Sequence, residues 1–98
     1  MPVNTYFDKH GLLTLTSKSI TIQGEEGWAQ LALIVLSGTV IVTGQAGATM
    51  GGEACGATTL PSGTSITFGT GLSAVDDLII DASAGSVLLI GVKLKNYN

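Results

Sequence analysis

Apolar and polar residues alternate with a period of two along most of this chain. Leu13 and Leu15 alternate with Thr14 and Thr16, and Ile20 and Ile22 alternate with Ser19, Thr21 and Gln23. That period places the aliphatic side chains of each segment on one face of an extended strand. A Gly24-Glu25-Glu26-Gly27 turn follows, then Trp28 to Leu36, apolar on both faces apart from Gln30. Ser37-Gly38 interrupts the run before Thr39 to Thr43, which carries Val40 and Val42 together. Thr64 to Phe68, Leu78 to Ile80 and Ser86 to Lys95 read as further strands, with a weaker one at Val3 to Phe7. Trp28 to Leu36 is long enough for a short helix. It lacks a polar face, however, and contains the β-branched pair Ile34-Val35, so it is assigned to strand. Many short strands separated by Gly-containing turns predict an all-β fold. The expected architecture is an antiparallel β-sandwich or jelly roll of about eight strands, a single domain over residues 1–98.

Two segments fall outside this pattern. Residues 44–59 hold five Gly and four Ala with little periodicity, which predicts a long loop. Residues 1–10 form a candidate N-terminal arm.

Several strands are apolar on both sides. Leu31, Leu33 and Val35 share one face, with Trp28, Ala32, Ile34 and Leu36 on the other; Val87 and Leu89 oppose Leu88, Ile90, Val92 and Leu94. A sandwich strand ordinarily turns one face to the core and one to water. Covering a second aliphatic face is favourable at about 25 cal/mol per Å² of apolar area. Either the long loop folds over that face or another subunit does; a homo-oligomer, with a trimer favoured, is the expectation, and its interface is assigned to Leu31, Leu33, Val35, Val87 and Leu89.

Composition narrows the chemistry. The chain is 45% hydrophobic and 11% charged, against about 25% charged in ordinary globular proteins. Its net charge of −3 and four scattered lysines (Lys9, Lys18, Lys93, Lys95) do not suit a nucleic-acid partner. No apolar run reaches the ~20 residues of a membrane helix, and the first residues lack the plan of a secretory signal, so a soluble, unprocessed chain is expected. The single cysteine, Cys55, has no partner for an internal disulfide and no basic neighbour in sequence to activate it. His10 has no evident nucleophile beside it. Glu25, Glu26, Asp76, Asp77 and Asp81 form no dense calcium loop and read as solvated turn carboxylates. Gly69-Thr70-Gly71 reads as a turn, since no helix or lysine follows to make a phosphate cradle.

Leu36-Ser37-Gly38-Thr39-Val40-Ile41-Val42, followed by Leu60-Pro61-Ser62-Gly63-Thr64-Ser65-Ile66-Thr67-Phe68, resembles the paired strand motifs of cupin-type jelly rolls. Leu78 to Ile80 and Ala84 to Ile90 would then supply the closing strands. In metal-binding cupins His and Glu ligands stand beside these motifs. Here Thr39, Ile41, Thr43 and Ile66 occupy such positions, and a catalytic metal needs about three donor side chains. No cofactor, no metal and no enzymatic activity are expected.

In composition and architecture the chain also looks like small all-β structural proteins of bacteriophage virions, of the capsid-decoration and head-fibre type. That resemblance implies a non-enzymatic module located in the virion, self-assembling and touching other virion proteins. The alternative is a metal-free, cupin-like jelly roll binding a small ligand or glycan. Trp28 is its candidate platform, with Tyr6 and Tyr97 as the other aromatic possibilities and Glu25 and Glu26 as hydrogen-bond acceptors.

Overall fold

The computed structural model describes residues 4–44, 47–69 and 78–97. It holds nine strands and a single 3-10 turn at Gly24–Glu26 among those residues. The strands are β1 (Asn4–Thr16), β2 (Ser19–Ile22), β3 (Trp28–Thr43), β4 (Thr49–Met50), β5 (Glu53–Ala54), β6 (Ala57–Pro61), β7 (Ser65–Phe68), β8 (Leu78–Asp81) and β9 (Gly85–Tyr97). All pairings are antiparallel.

The sixteen-residue β3 organises the rest. Its first half pairs with β9 on one side and β7 on the other, giving a sheet ordered β1-β9-β3-β7. Its second half pairs with β8 and β6, giving β2-β8-β3-β6. The shared β3 joins these two four-stranded layers into one curled, seven-stranded antiparallel sheet, a β-sandwich-like all-β fold. Inner-face side chains from both layers make one core, centred on Leu33, Val35, Val40, Ile80 and Val87.

The two layers join along one corner, where four chain segments bend side by side. At Ser17 the backbone N–H donates to the Gly85 carbonyl at 3.2 Å, and Ala82 N–H donates to Lys18 O at 2.8 Å. Gly38 sits at φ +64, and a Cβ built there would lie 2.3 Å from the Ala84 carbonyl oxygen. The Pro61–Thr64 turn docks on the same bend, with Gly63 N–H donating to Val35 O and Val35 N–H to Thr64 O, both at 2.9 Å. Ser17 and Gly38 are both left-handed, which lets the strands reverse their pleat and cross between layers.

Asp81 closes one of these bends. Its carboxylate accepts from the Ser83 N–H at 3.0 Å. The Ser83 hydroxyl first, and that N–H second, hold the Asp81 carboxyl below the ordinary aspartate value of about 3.9. A lowered folded pKa means that this contribution to stability is present above about pH 4 and is lost as pH falls through the folded value. Asp81→Asn should therefore be slightly less stable than the parent at pH 7, with a smaller difference at pH 3 than at pH 7. Urea midpoints at both pH values measure this, and a difference that grows on acidification would contradict it.

Three expectations change. The N-terminal arm is a paired strand: from Asn4 onward β1 runs in register with β9, Asn4 opposite Tyr97 and Gly11 opposite Gly91. Beyond the Trp28–Lys93 pair, Asn4–Phe7 and Leu94–Tyr97 continue as a two-stranded ribbon with no third strand beside it among the described residues. The loop assigned to 44–59 ends earlier. Ala57–Pro61 is strand β6, missed because Leu60 is its only large aliphatic, and Thr49–Ala54 forms a small hairpin. The Cys55 N–H closes that hairpin onto Ala48 O at 2.8 Å.

The third change concerns the faces. Leu31, Leu33, Val35, Val87 and Leu89 are each no more than 3% exposed within one chain. They are the inner face, already covered by β2, β6 and β8, and so cannot form the interface assigned to them. The side chains left at the surface are those of the opposite parity. Across the β1-β9-β3-β7 layer, Leu12, Ile90, Ala32 and Thr67 stand in one row and Thr14, Leu88, Ile34 and Ser65 in the next. Val92 extends this face between His10 and Gln30.

Candidate functional site

Trp28 opens β3 directly after Gly27, which at φ +80 ends the 3-10 turn. Its ring reaches across the inner side of β9 and β1. A Cβ on Gly91 would lie 2.6 Å from Trp28 Cε3, and one on Gly11 would lie 2.5 Å from Cη2. Gly11 and Gly91 are direct register partners, so two adjacent strands both leave out a side chain where the indole sits. Lys93, two residues beyond Gly91, places Nζ 4.6 Å from the ring centroid. A cation over an indole at a partly exposed position contributes about 0.5–1 kcal/mol.

Beside this ring a cleft of about 480 Å³ opens between β1 and β2. Leu12, Leu13, Ile20, Ile22, Leu31 and Leu89 line it with aliphatic residues, and Thr21 and Glu26 are its polar lining residues. The strand pattern explains the arrangement. Leu13 and Gly11 share the inner parity of Leu15, and Ile20 and Ile22 share the inner face of β2 with Ile80 and Leu78 opposite. The short turn between β2 and β3 then carries Glu26 to the rim.

Of the residues proposed for a ligand site, Trp28 and Glu26 are brought together, while Glu25 is not among the cleft residues. The side chains of Tyr6 and Tyr97 lie outside the described residues, as do Val3, Thr70, Gly71, Asp76 and Asp77. His10 is exposed on β1 opposite Val92. Cys55 is half-buried in its hairpin. Of the cupin-like ligand positions, Thr39 and Ile41 are exposed, Thr43 is half-buried and Ile66 packs against the core, while the intervening Val40 and Val42 are buried. No group of three or more His, Cys, Asp or Glu side chains suited to a metal occurs among the described residues. The sequence reading missed Gly11 and Gly91. A glycine inside an otherwise regular strand marks a close approach, and each of these two is such a signal.

Adding a methyl group at the floor of the cleft should displace the indole. Gly91→Ala is expected to move the emission of the single tryptophan to longer wavelength and to cost about 1–3 kcal/mol, the usual range for overpacking. Because Gly11 and Gly91 face the same ring, Gly11→Ala should cost less when added to Gly91→Ala than alone. Urea denaturation of the two single variants and the double variant checks this, and strict additivity would contradict a shared contact.

No helix among the described residues is long and apolar enough to cross a membrane. No family model, no curated protein and no solved structure matches the chain.

Proposed function

We propose that this protein is a non-enzymatic structural module that assembles with copies of itself through the outer face of the β1-β9-β3-β7 layer. The observation that carries the reading is the make-up of that face. Leu12, Ile34, Leu88, Ile90 and Val92 lie on adjacent strands, and the positions between them are Ala, Thr, Ser, Gln and His, with no acidic or lysine side chain among the described residues. Leu12 is 73% exposed. Contiguous apolar surface of this kind is uncommon on monomers and marks contact with another molecule. A hydroxyl or amide is also far cheaper to desolvate than a charge, so the polar positions do not oppose burial.

Size bears on how the copies meet. Four strands about 4.8 Å apart, with eight residues at about 3.3 Å each, span roughly 19 by 27 Å. That is roughly 500 Å² in projection, against the about 800 Å² per partner of a standard interface. The Asn4–Phe7 and Leu94–Tyr97 ribbon, which has no further strand on either side among the described residues, is the natural supplement: an unpaired edge accepts a strand from a neighbour. Placement in a bacteriophage virion, as a decoration or fibre component beside other virion proteins, rests on the likeness in composition and all-β architecture.

Native mass spectrometry of the purified chain tests the reading. Trimers or another closed oligomer at micromolar concentration are expected; monomer alone throughout that range would overturn it.

A further inference from the structure

We propose that the cleft beside Trp28 is a binding site for a small amphiphile, an apolar body or short alkyl chain ending in a cationic or hydrogen-bond-donating group. This goes beyond self-association: the cleft meets the proposed interface only at Leu12, and its other lining residues lie off that outer face. At about 480 Å³ it falls within the about 300–1,000 Å³ of small-molecule sites. Its walls are Leu13, Ile20, Ile22, Leu31 and Leu89, which favour hydrocarbon and offer nothing to a sugar's many hydroxyls. Its polar lining residues are Thr21 and Glu26; Thr21 alternates with the inward-facing Ile20 and Ile22 and so turns its hydroxyl outward, which leaves the Glu26 carboxylate as the polar side chain of the site. A carboxylate only accepts hydrogen bonds, so it selects a donor or a cation and disfavours an anion. The floor is prebuilt: the Gly11–Gly91 pair seats the Trp28 ring against backbone, and Lys93 holds it from above. A site whose aromatic wall is fixed in advance loses little freedom on binding.

Three probes with one tail and different heads test the proposal: octylamine, octanol and octanoate, each titrated below its micelle or solubility limit against Trp28 fluorescence. Saturable binding is expected, with octylamine about threefold tighter than octanoate, the discrimination an exposed carboxylate gives. Glu26→Gln should abolish that preference while leaving octanol unchanged. Leu13→Gln, at a position 48% exposed and so tolerant of the change, should weaken all three probes. Leu88→Gln on the outer face should weaken none. No saturable signal with any probe would overturn the proposal, as would binding that responds to Leu88→Gln and not to Leu13→Gln. Dissociation of the oligomer by Leu13→Gln would equally overturn it, by showing that the cleft is filled by a neighbouring copy.

Discussion

Replacing Gly38 with alanine is expected to destabilise the fold by about 2–5 kcal/mol. The sum has two parts: about 1–2 kcal/mol for an L-residue held in the left-handed region, and about 1–3 kcal/mol for overpacking. Both apply because Gly38 sits at φ +64 with Ala84 O 2.3 Å from the position of the added carbon and Gly85 Cα at 2.8 Å. Neither obstacle is a side chain that can rotate away. Both belong to the bend where β8 passes into β9, and that bend is itself tied to Ser17 and Lys18. A displacement at Gly38 therefore propagates along the corner joining the two layers. A small domain commonly has only 5–15 kcal/mol in total, so the variant should be largely unfolded at moderate temperature. Gly56→Ala is the control. Nothing lies within 4 Å of its added carbon and its φ is outside the left-handed region, so the change should be neutral or stabilise by up to about 1 kcal/mol. Equal urea midpoints for the two variants would contradict the account of the corner.

The second large effect is on assembly. Leu88→Lys places an ammonium at the centre of the outer face, between Thr14 of β1 and Ile34 of β3. Within one chain Leu88 is half-exposed, so the lysine stem can lie along the sheet with its head in water, and the fold should be retained. Between copies the head would have to be buried without an opposite charge. Loss of a central contact of this type costs about 2 kcal/mol or more, at least about thirtyfold in association. Leu33→Ala gives the opposite signature: at 0% exposure it should cost about 2–5 kcal/mol of folding stability, a core effect. The two substitutions thus separate the inner face from the outer.

The alternation of side chains made the strands legible but did not orient them. Leu13 with Leu15, Ile20 with Ile22 and Val40 with Val42 are paired as the period of two requires. In Trp28 to Leu36 and Ser86 to Leu94, however, both parities are apolar, and nothing local says which one is covered. The decision comes from distant segments: Leu60, Leu78 and Ile80 lie over the parity of Leu33 and Val87. That is why the assigned interface residues proved to be core. Asn4 to His10 looked like an arm because its residues are largely polar, yet register with Val92 to Tyr97 makes it strand. At the cleft, Trp28 and Glu26 were visible as neighbours in sequence. The Gly11–Gly91 seat was not, because it joins residues eighty positions apart whose meeting depends on the β1–β9 register.

The most direct test of self-association through the outer face is sedimentation equilibrium of the parent chain and Leu88→Lys, over the same concentrations and with matched circular dichroism. The account predicts an oligomeric mass for the parent and a shift towards the monomer mass for the variant, with the β-sheet spectrum unchanged. A parent that sediments as a monomer, or a variant that associates as tightly as the parent, would contradict it.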